Sequence, residues 1–150
     1  MCFYIRLWHT YLISVLPREQ LVGAWRELSS IAGAIQKNGA PNHILVNFVC
    51  DYDYDHFISY AYYIRQEMTK CGYHTMNSVW EKIVALKPSW TLIPLSKVYS
   101  QKMDDEYMQI CYWNLREKYR CNGFATEIFQ NITIRWLEYT HPAQYTNNCL

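Results

Sequence analysis

Apolar residues recur at helical spacing in three separate stretches, and this pattern constrains the fold more than any other feature of the chain. In the first stretch, Pro17 suits the first turn of a helix, while Asn38, Gly39 and Pro41 are typical of its end. Between them the apolar positions recur at steps of three and four: Leu21, Ala24, Trp25, Leu28, Ile31, Ala32 and Ile35. The spacing predicts a helix near residues 17–37.

The other two stretches predict helices near residues 54–71 and 104–121. The earlier one can be capped by the carboxylate of Asp53 or of Asp55, and Gly72 is suited to its end. The later one opens with three acidic residues and closes with basic ones, an order that complements the helix dipole.

Three further segments give weaker patterns. We expect a short helix near residues 78–86, before the next proline. Residues 43–50 form an apolar run that is compatible with either a short helix or an extended segment. Residues 127–138 fit a helix, but the alternating apolar residues of segment 132–136 also fit a strand.

Length and composition indicate one folded domain. A chain of 150 residues is sufficient for a hydrophobic core of its own, and 51% apolar residues is far from the composition of disordered proteins. No apolar run reaches about 18 residues and no signal peptide pattern is present, so we expect no membrane association. We therefore expect an all-α fold: a single domain built as a compact bundle of about three long helices with connecting loops.

The six cysteines are scattered along the chain without a C-x-x-C pair, which argues against a zinc site. Reduced thiols and an intracellular, cytoplasmic location fit this pattern better than a disulfide framework. The histidines His43, His56 and His74 show no ligand spacing either, so we expect no metal. A net charge of +1 gives little support for a polyanionic partner, so any DNA-binding surface must come from a local arrangement of charges.

Glu27 is the residue most suggestive of chemistry. Its helical neighbours are small (Gly23, Ser30 and Ala34), and no basic residue lies three or four positions away to form an ion pair. The pattern alone is nevertheless more typical of a solvated carboxylate on an amphipathic helix. Arg26 also lacks an acidic neighbour at that spacing, and its planar guanidinium suits a phosphate.

Aromatic side chains provide a second kind of candidate, because they can stack on exposed bases. Most of the 14 tyrosines and their companions fall on apolar stripes, which indicates a role in the core. The four that we consider for a ligand are Tyr52, Tyr54, Tyr62 and Tyr63.

Short motifs follow one another along the predicted helices: Arg6-Leu7-Trp8-His9, Leu16-Pro17-Arg18-Glu19-Gln20-Leu21, Trp25-Arg26-Glu27-Leu28, Gly33-Ala34-Ile35, Pro41-Asn42-His43, Glu67-Met68, Gly72-Tyr73, Asp105-Glu106-Tyr107 and Asn114-Leu115-Arg116-Glu117-Lys118. Taken in this order, they resemble the pyrimidine-dimer DNA glycosylase/AP-lyase family. The family has phage and bacterial members, and the resemblance is closer to the bacterial ones. The resemblance covers about residues 5–120. Residues 121–150 are left as an unassigned tail.

The resemblance implies a DNA-repair activity that needs neither metal nor organic cofactor. In the family, an N-terminal amine attacks the anomeric carbon at a damaged pyrimidine and forms a Schiff base, and a glutamate then assists ring opening and β-elimination. Glu27 matches that glutamate, and Arg26 matches the adjacent arginine that contacts DNA. The DNA-binding residues that the resemblance implies are Arg6, His9, Arg26, Lys37, Arg116 and Lys118.

The sequence departs from the family at several positions. Residues 1–4 precede the family-like region, so we expect the active form to start at or near Arg6. As written, removal of Met1 would make Cys2 the candidate nucleophile, and an amine beside a thiol traps aldehydes as a thiazolidine. Gln20 stands where the phage enzymes have a histidine, and Ser30 stands where they have an arginine. Both differences predict weaker binding to DNA.

We therefore interpret the chain as a DNA glycosylase with AP-lyase activity, an endonuclease that acts as a monomer on double-stranded DNA with damaged or abasic sites. A non-catalytic nucleic-acid-binding protein that retains the fold is the alternative. A small helical interaction protein is the third. The formation of a Schiff base separates the first from the second, and salt-dependent DNA binding separates the second from the third.

Overall fold

The computed structural model describes residues 6–142, and every regular element within them is helical. The α-helices are α1 (Arg18–Asn38), α2 (Tyr54–Lys70), α3 (Asn77–Val84), α4 (Asp105–Arg120) and α5 (Thr126–Thr140). Short 3₁₀ helices span Thr10–Val15, Asn47–Asp51 and Leu95–Lys97. The predicted all-α class is confirmed, although a fourth long helix, α5, joins the three that the sequence predicted.

The described residues divide into two compact units. The first comprises residues 6–7 and 18–99, and the second comprises residues 8–17 and 100–142. In the first unit, α1 packs against both α2 and α3. Leu28, Phe57 and Ile83 come from these three helices and are completely buried. Each such side chain contributes about 1.5–3 kcal/mol when it leaves water, so this core holds α1 in place.

The ends of α2 follow from local hydrogen bonding. Asp53 is the N-cap, and its carboxylate accepts a hydrogen bond from the Asp55 amide at 2.9 Å. Asp55 has a different role, because it shares the Lys87 ammonium with Asp53 and accepts a hydrogen bond from the Thr91 amide. Gly72 follows α2 with a φ of 80°, a left-handed conformation that glycine adopts without strain.

The short-helix alternative for residues 43–50 holds for the second half of the segment. These residues form a turn that continues into the 3₁₀ helix Asn47–Asp51. The apolar run is split by this geometry, because Val46 and Val49 are buried whereas Ile44 is 88% exposed. The short helix predicted near residues 78–86 is confirmed as α3.

In the second unit, α5 packs against α4 and against the 3₁₀ helix Thr10–Val15. Asp104 caps α4 by accepting a hydrogen bond from the Tyr107 amide at 2.8 Å. Aromatic rings join the two long helices: Tyr112 stacks on Trp136 with centroids 4.3 Å apart, and Tyr119 stacks similarly on Phe129. The segment that fitted either a helix or a strand is therefore a helix, and its contacts follow the helical period.

Two expectations about the environment of the chain can be compared with the fold. Each cysteine between residues 6 and 142 is a free thiol, in keeping with the predicted reduced state: Cys50, Cys71, Cys111 and Cys121. No helix in the described part of the chain is long and apolar enough to cross a membrane.

Candidate active site

One edge of α1 carries a line of polar and small residues that we call the α1 stripe: Gln20, Gly23, Glu27 and Ser30. They succeed one another at steps of three, four and three, so they lie along one side of the helix. The adjacent side of α1 is the buried core face, to which Ala24 and Ile31 belong. The α1 stripe therefore lies at the border between the core of the first unit and the surface.

Glu27 is half-buried on this border. Within residues 6–142 its carboxylate has neither a hydrogen bond nor an ion pair, which agrees with the absence of a basic neighbour in the sequence. Burial alone raises the pKa of Glu27 above its usual value, because the charged form loses solvation that no nearby group replaces. A carboxyl in this condition is protonated more often near neutrality, which suits a group that must both donate and accept a proton.

Gly23 leaves open space one helical turn before Glu27. Outside the local helix backbone, a β-carbon built at Gly23 would have no atom of residues 6–142 within 4 Å. Glycine in the interior of a long helix costs about 1 kcal/mol relative to alanine, and here no close packing requires it. The space predicted from the small residues of the sequence is thus present beside Gly23.

Gln20 adds a feature that the sequence did not indicate. Its side-chain oxygen Oε1 is buried and has no hydrogen-bond partner among the described residues. Buried polar atoms are nearly always paired in folded proteins, so an unpaired one is a candidate for contact with a ligand. In the sequence, Gln20 was notable only because the phage enzymes have a histidine at this position. Its position seven residues before Glu27, on the same helical side, was the available signal.

The α1 stripe combines a half-buried carboxyl with a raised pKa, a hydrogen-bond acceptor that is unpaired within residues 6–142, and adjoining space. Glu27 and Gln20 lie on either side of Gly23 along the helix. The exposed hydroxyl of Ser30 continues the line on the far side of Glu27. This arrangement suits a substrate that carries hydrogen-bond donors and undergoes proton transfer.

Arg26 and Lys37, two of the predicted DNA-binding residues, are exposed on α1. Neither makes an ion pair or a hydrogen bond within the described chain. Arg6 also belongs to the first unit and is half-buried. The structure therefore places Arg26 and Lys37 on the surface of the helix that carries Glu27.

His9 lies in the interior of the second unit and is only 2% exposed. Its Nδ1 atom accepts a hydrogen bond from the Tyr11 amide and thereby caps the first 3₁₀ helix. Its Nε2 atom is buried and forms no hydrogen bond with the part of the chain that the structure describes, and its ring meets the Tyr139 ring edge-on with centroids 5.1 Å apart. Burial lowers the pKa of His9, although the backbone and carboxylate of Asp104 oppose the shift. His9 therefore caps a helix in the interior of the second unit and offers almost no surface for contact with DNA.

Arg116 and Lys118, the remaining predicted DNA-binding residues, lie on α4 in the second unit. The Arg116 guanidinium lies over the ring of the exposed Trp113, 4.8 Å from its centroid. Lys118 is half-buried in the last turn of the helix. The half-buried Arg116 and the exposed Trp113 therefore form a cation–π pair on this helix.

The tyrosines considered for a ligand are mostly engaged in packing. Tyr52 meets the rings of Phe48 and Tyr99, and Tyr62 meets Tyr63 and Trp80. The Tyr63 hydroxyl donates a hydrogen bond to a backbone carbonyl of the same unit. These contacts give the tyrosines a structural role.

Cys2, the candidate nucleophile of the sequence as written, lies outside the described residues. Within residues 6–142, no group of three or more histidine, cysteine or acidic side chains is arranged to hold a metal ion.

A family model described as pyrimidine dimer DNA glycosylase matches residues 5–81. The chain belongs to this family. The match includes the whole of α1, and with it Glu27 and the rest of the α1 stripe. It ends before α4, so it does not extend to the family-like motifs at Arg116 and Lys118. Searches of curated proteins and of solved structures give no match. Membership of this family implies DNA as the substrate.

Proposed function

We propose that the protein is a DNA-repair glycosylase with AP-lyase activity on pyrimidine dimers or abasic sites in double-stranded DNA. Glu27 is its catalytic carboxyl, and an N-terminal amine is its nucleophile. The observation that carries this proposal is the state of Glu27: half-buried, unpaired within the described chain, raised in pKa and next to open space.

The chemistry begins with attack of the free amine on the anomeric carbon of the damaged nucleotide. The bond between that carbon and the base breaks, the base leaves with the bonding electrons, and the base takes up the proton that the attacking amine loses. Protonated Glu27 then gives its proton to the ring oxygen, the sugar ring opens, and the amine and sugar are joined as a Schiff base. At an abasic site the same adduct forms with loss of water.

The second half of the reaction uses Glu27 as a base. Its carboxylate removes a proton from the sugar carbon next to the Schiff base, and the electron pair expels the 3′ phosphate by β-elimination. Water then hydrolyses the Schiff base and releases the amine. Burial raises the pKa of Glu27, which favours the protonated form that the first half of the reaction needs and makes the carboxylate of the second half a stronger base.

An N-terminal amine is a better nucleophile than a lysine under these conditions. Its ordinary pKa is about 7.7–8.0, against about 10.4 for lysine. At neutral pH the unprotonated fraction of an N-terminal amine is therefore larger than that of a lysine by roughly two to three orders of magnitude. Mapping the attached residue identifies which amine of this chain acts.

Borohydride trapping on a duplex with one abasic site tests the proposal. Reduction of the Schiff base joins the protein to DNA, and peptide mapping then locates the joined residue. Glu27→Gln keeps the shape of the side chain but cannot exchange a proton, so we expect strand cleavage to fall by at least about 100-fold. Glu19→Gln is the matched control, because it removes an exposed carboxylate from the same helix.

Each outcome has a definite meaning. Trapping by the parent together with loss of cleavage in Glu27→Gln alone supports the proposal. If Glu27→Gln cleaves as fast as the parent, Glu27 is not the catalytic carboxyl. If the parent binds DNA but is never trapped, the protein is the non-catalytic binding protein that the sequence offered as an alternative.

A further inference from the structure

Lys82 approaches α1 at a position where that helix has no side chain. A β-carbon built at Gly33 would lie 3.6 Å from the Lys82 Nζ atom, an ordinary contact distance. The lysine belongs to α3, which packs against α1 in the first unit. The absent side chain at Gly33 therefore allows an ammonium group from a different helix to lie against the surface of α1.

The approach of Lys82 falls on a face of α1 that already carries two cations. Arg26, Ser30, Gly33 and Lys37 succeed one another at steps of four, three and four, so they share one side of the helix. The ammonium of Lys82 meets this side at Gly33, between Arg26 and Lys37. We call Arg26, Lys82 and Lys37 the cationic row.

No member of the cationic row has an acidic partner among the described residues. The nearest carboxylates in sequence are Glu27, next to Arg26, and Glu81, next to Lys82, and neither forms an ion pair with the row. Glu19 shares this side of α1 but lies seven residues before Arg26, which is about 10 Å along the helix axis. Lys87 and Arg135 form ion pairs elsewhere in the described chain.

The length of the row suits a nucleic-acid backbone. Arg26 and Lys37 are separated by about 16 Å along α1, since each residue advances the helix by about 1.5 Å. One strand of duplex DNA presents a phosphate about every 3.4 Å of axis, so the row spans about five phosphates. A protein with a net charge of only +1 depends on such local rows for its attraction to DNA.

We propose that Lys82 binds a backbone phosphate of the DNA as the central member of the cationic row. This inference rests on the proposed function, because the row runs beside the α1 stripe that carries Glu27. Lys82 then neutralises one phosphate without reading the bases, and its contribution depends on salt concentration and not on sequence. It lies one residue beyond the segment that the family model matches.

The test measures equilibrium binding to a duplex with a tetrahydrofuran abasic-site analogue, across a range of salt concentrations. This analogue lacks the anomeric oxygen and forms no Schiff base, so binding is measured without chemistry. For Lys82→Gln we expect the slope of log K against log salt to fall by about 0.9. Over the decade from 1 M to 0.1 M salt, that slope corresponds to about an eightfold loss of affinity at the lower concentration.

Two further variants separate a phosphate contact from simpler effects. Lys70→Gln removes an exposed charge from the end of α2 and should leave the slope unchanged. Gly33→Leu keeps every charge but occupies the space beside the Lys82 ammonium, so it should weaken binding without a change in net charge. Circular dichroism confirms that each variant is folded.

The outcomes distinguish this inference from the proposed function. If Lys82→Gln has the slope of the parent, or if Lys70→Gln lowers it equally, Lys82 is not a phosphate contact, even when trapping and cleavage by the parent are intact. If the parent neither binds the analogue nor is trapped on abasic DNA, the proposed function fails, and the inference fails with it.

Discussion

Replacement of Gly23 by leucine separates the stability of the fold from the use of the candidate site. Within residues 6–142, a β-carbon at position 23 meets no atom within 4 Å outside the local helix backbone, so the substitution creates no clash at its base. Leucine is a better helix former than glycine by about 0.8 kcal/mol. For a chain of this length, such a gain raises the melting temperature by about 2–3 °C.

The same leucine occupies the space between Gln20 and Glu27, where the proposed function requires the damaged nucleotide. A misplacement of even 1 Å at a catalytic group costs about 100-fold in rate. We therefore expect Gly23→Leu to be more stable than the parent and to cleave abasic DNA at least about 100-fold more slowly. Gly23→Ala should give the same gain in stability with a much smaller loss of rate, since it adds only a methyl group.

Thermal unfolding and single-turnover cleavage of abasic duplex measure the two effects. Full activity in a stabilised Gly23→Leu variant would show that the substrate does not use this space, and the reasoning about the α1 stripe would be wrong. A lower melting temperature would show that the space is not open in solution.

Two other perturbations follow from the α1 stripe. The raised pKa of Glu27 means that the folded protein holds this proton more tightly than the unfolded chain, so its ionisation costs stability as pH rises from the unfolded pKa through the folded one. Glu27→Gln should therefore be more stable than the parent at neutral pH, and thermal melts should show the difference vanish below about pH 4, the range where glutamate is protonated in both states. Gln20→Met keeps the length of the side chain but removes its unpaired oxygen, which should stabilise the fold by about 1 kcal/mol and reduce cleavage about tenfold. Equal cleavage by Gln20→Met and the parent would exclude Gln20 from the site.

The sequence predicted the helices best where local chemistry sets their ends. Asp53 and Asp104 cap α2 and α4, and Gly72 follows the end of α2, all within reach of local rules. The sequence could not distinguish a helix from a strand for α5, because the apolar residues of that segment alternate over a short stretch. The decision there comes from the stacking of Phe129 and Trp136 on α4, which lies outside any local window.

From the sequence, only the part of the candidate site that lies on a single helix could be predicted. Glu27 and Gly23 share α1, so their spacing already indicated an unpaired carboxylate beside free space. Lys82 reaches α1 from α3, and no pattern within either helix predicts that approach. The burial of His9 was equally hidden, because it depends on the packing of α4 and α5 around the first 3₁₀ helix.

The three sides of α1 also determine which changes in chain length the protein can tolerate. Each residue turns an α-helix by about 100°, so one insertion between Gln20 and Lys37 rotates everything after it away from its neighbours. A single insertion would therefore misalign all three sides of α1 with their surroundings: the core face, the α1 stripe and the cationic row. Insertions and deletions in descendants of this sequence should therefore fall in the connection of residues 39–53, while the number of residues in α1 stays constant.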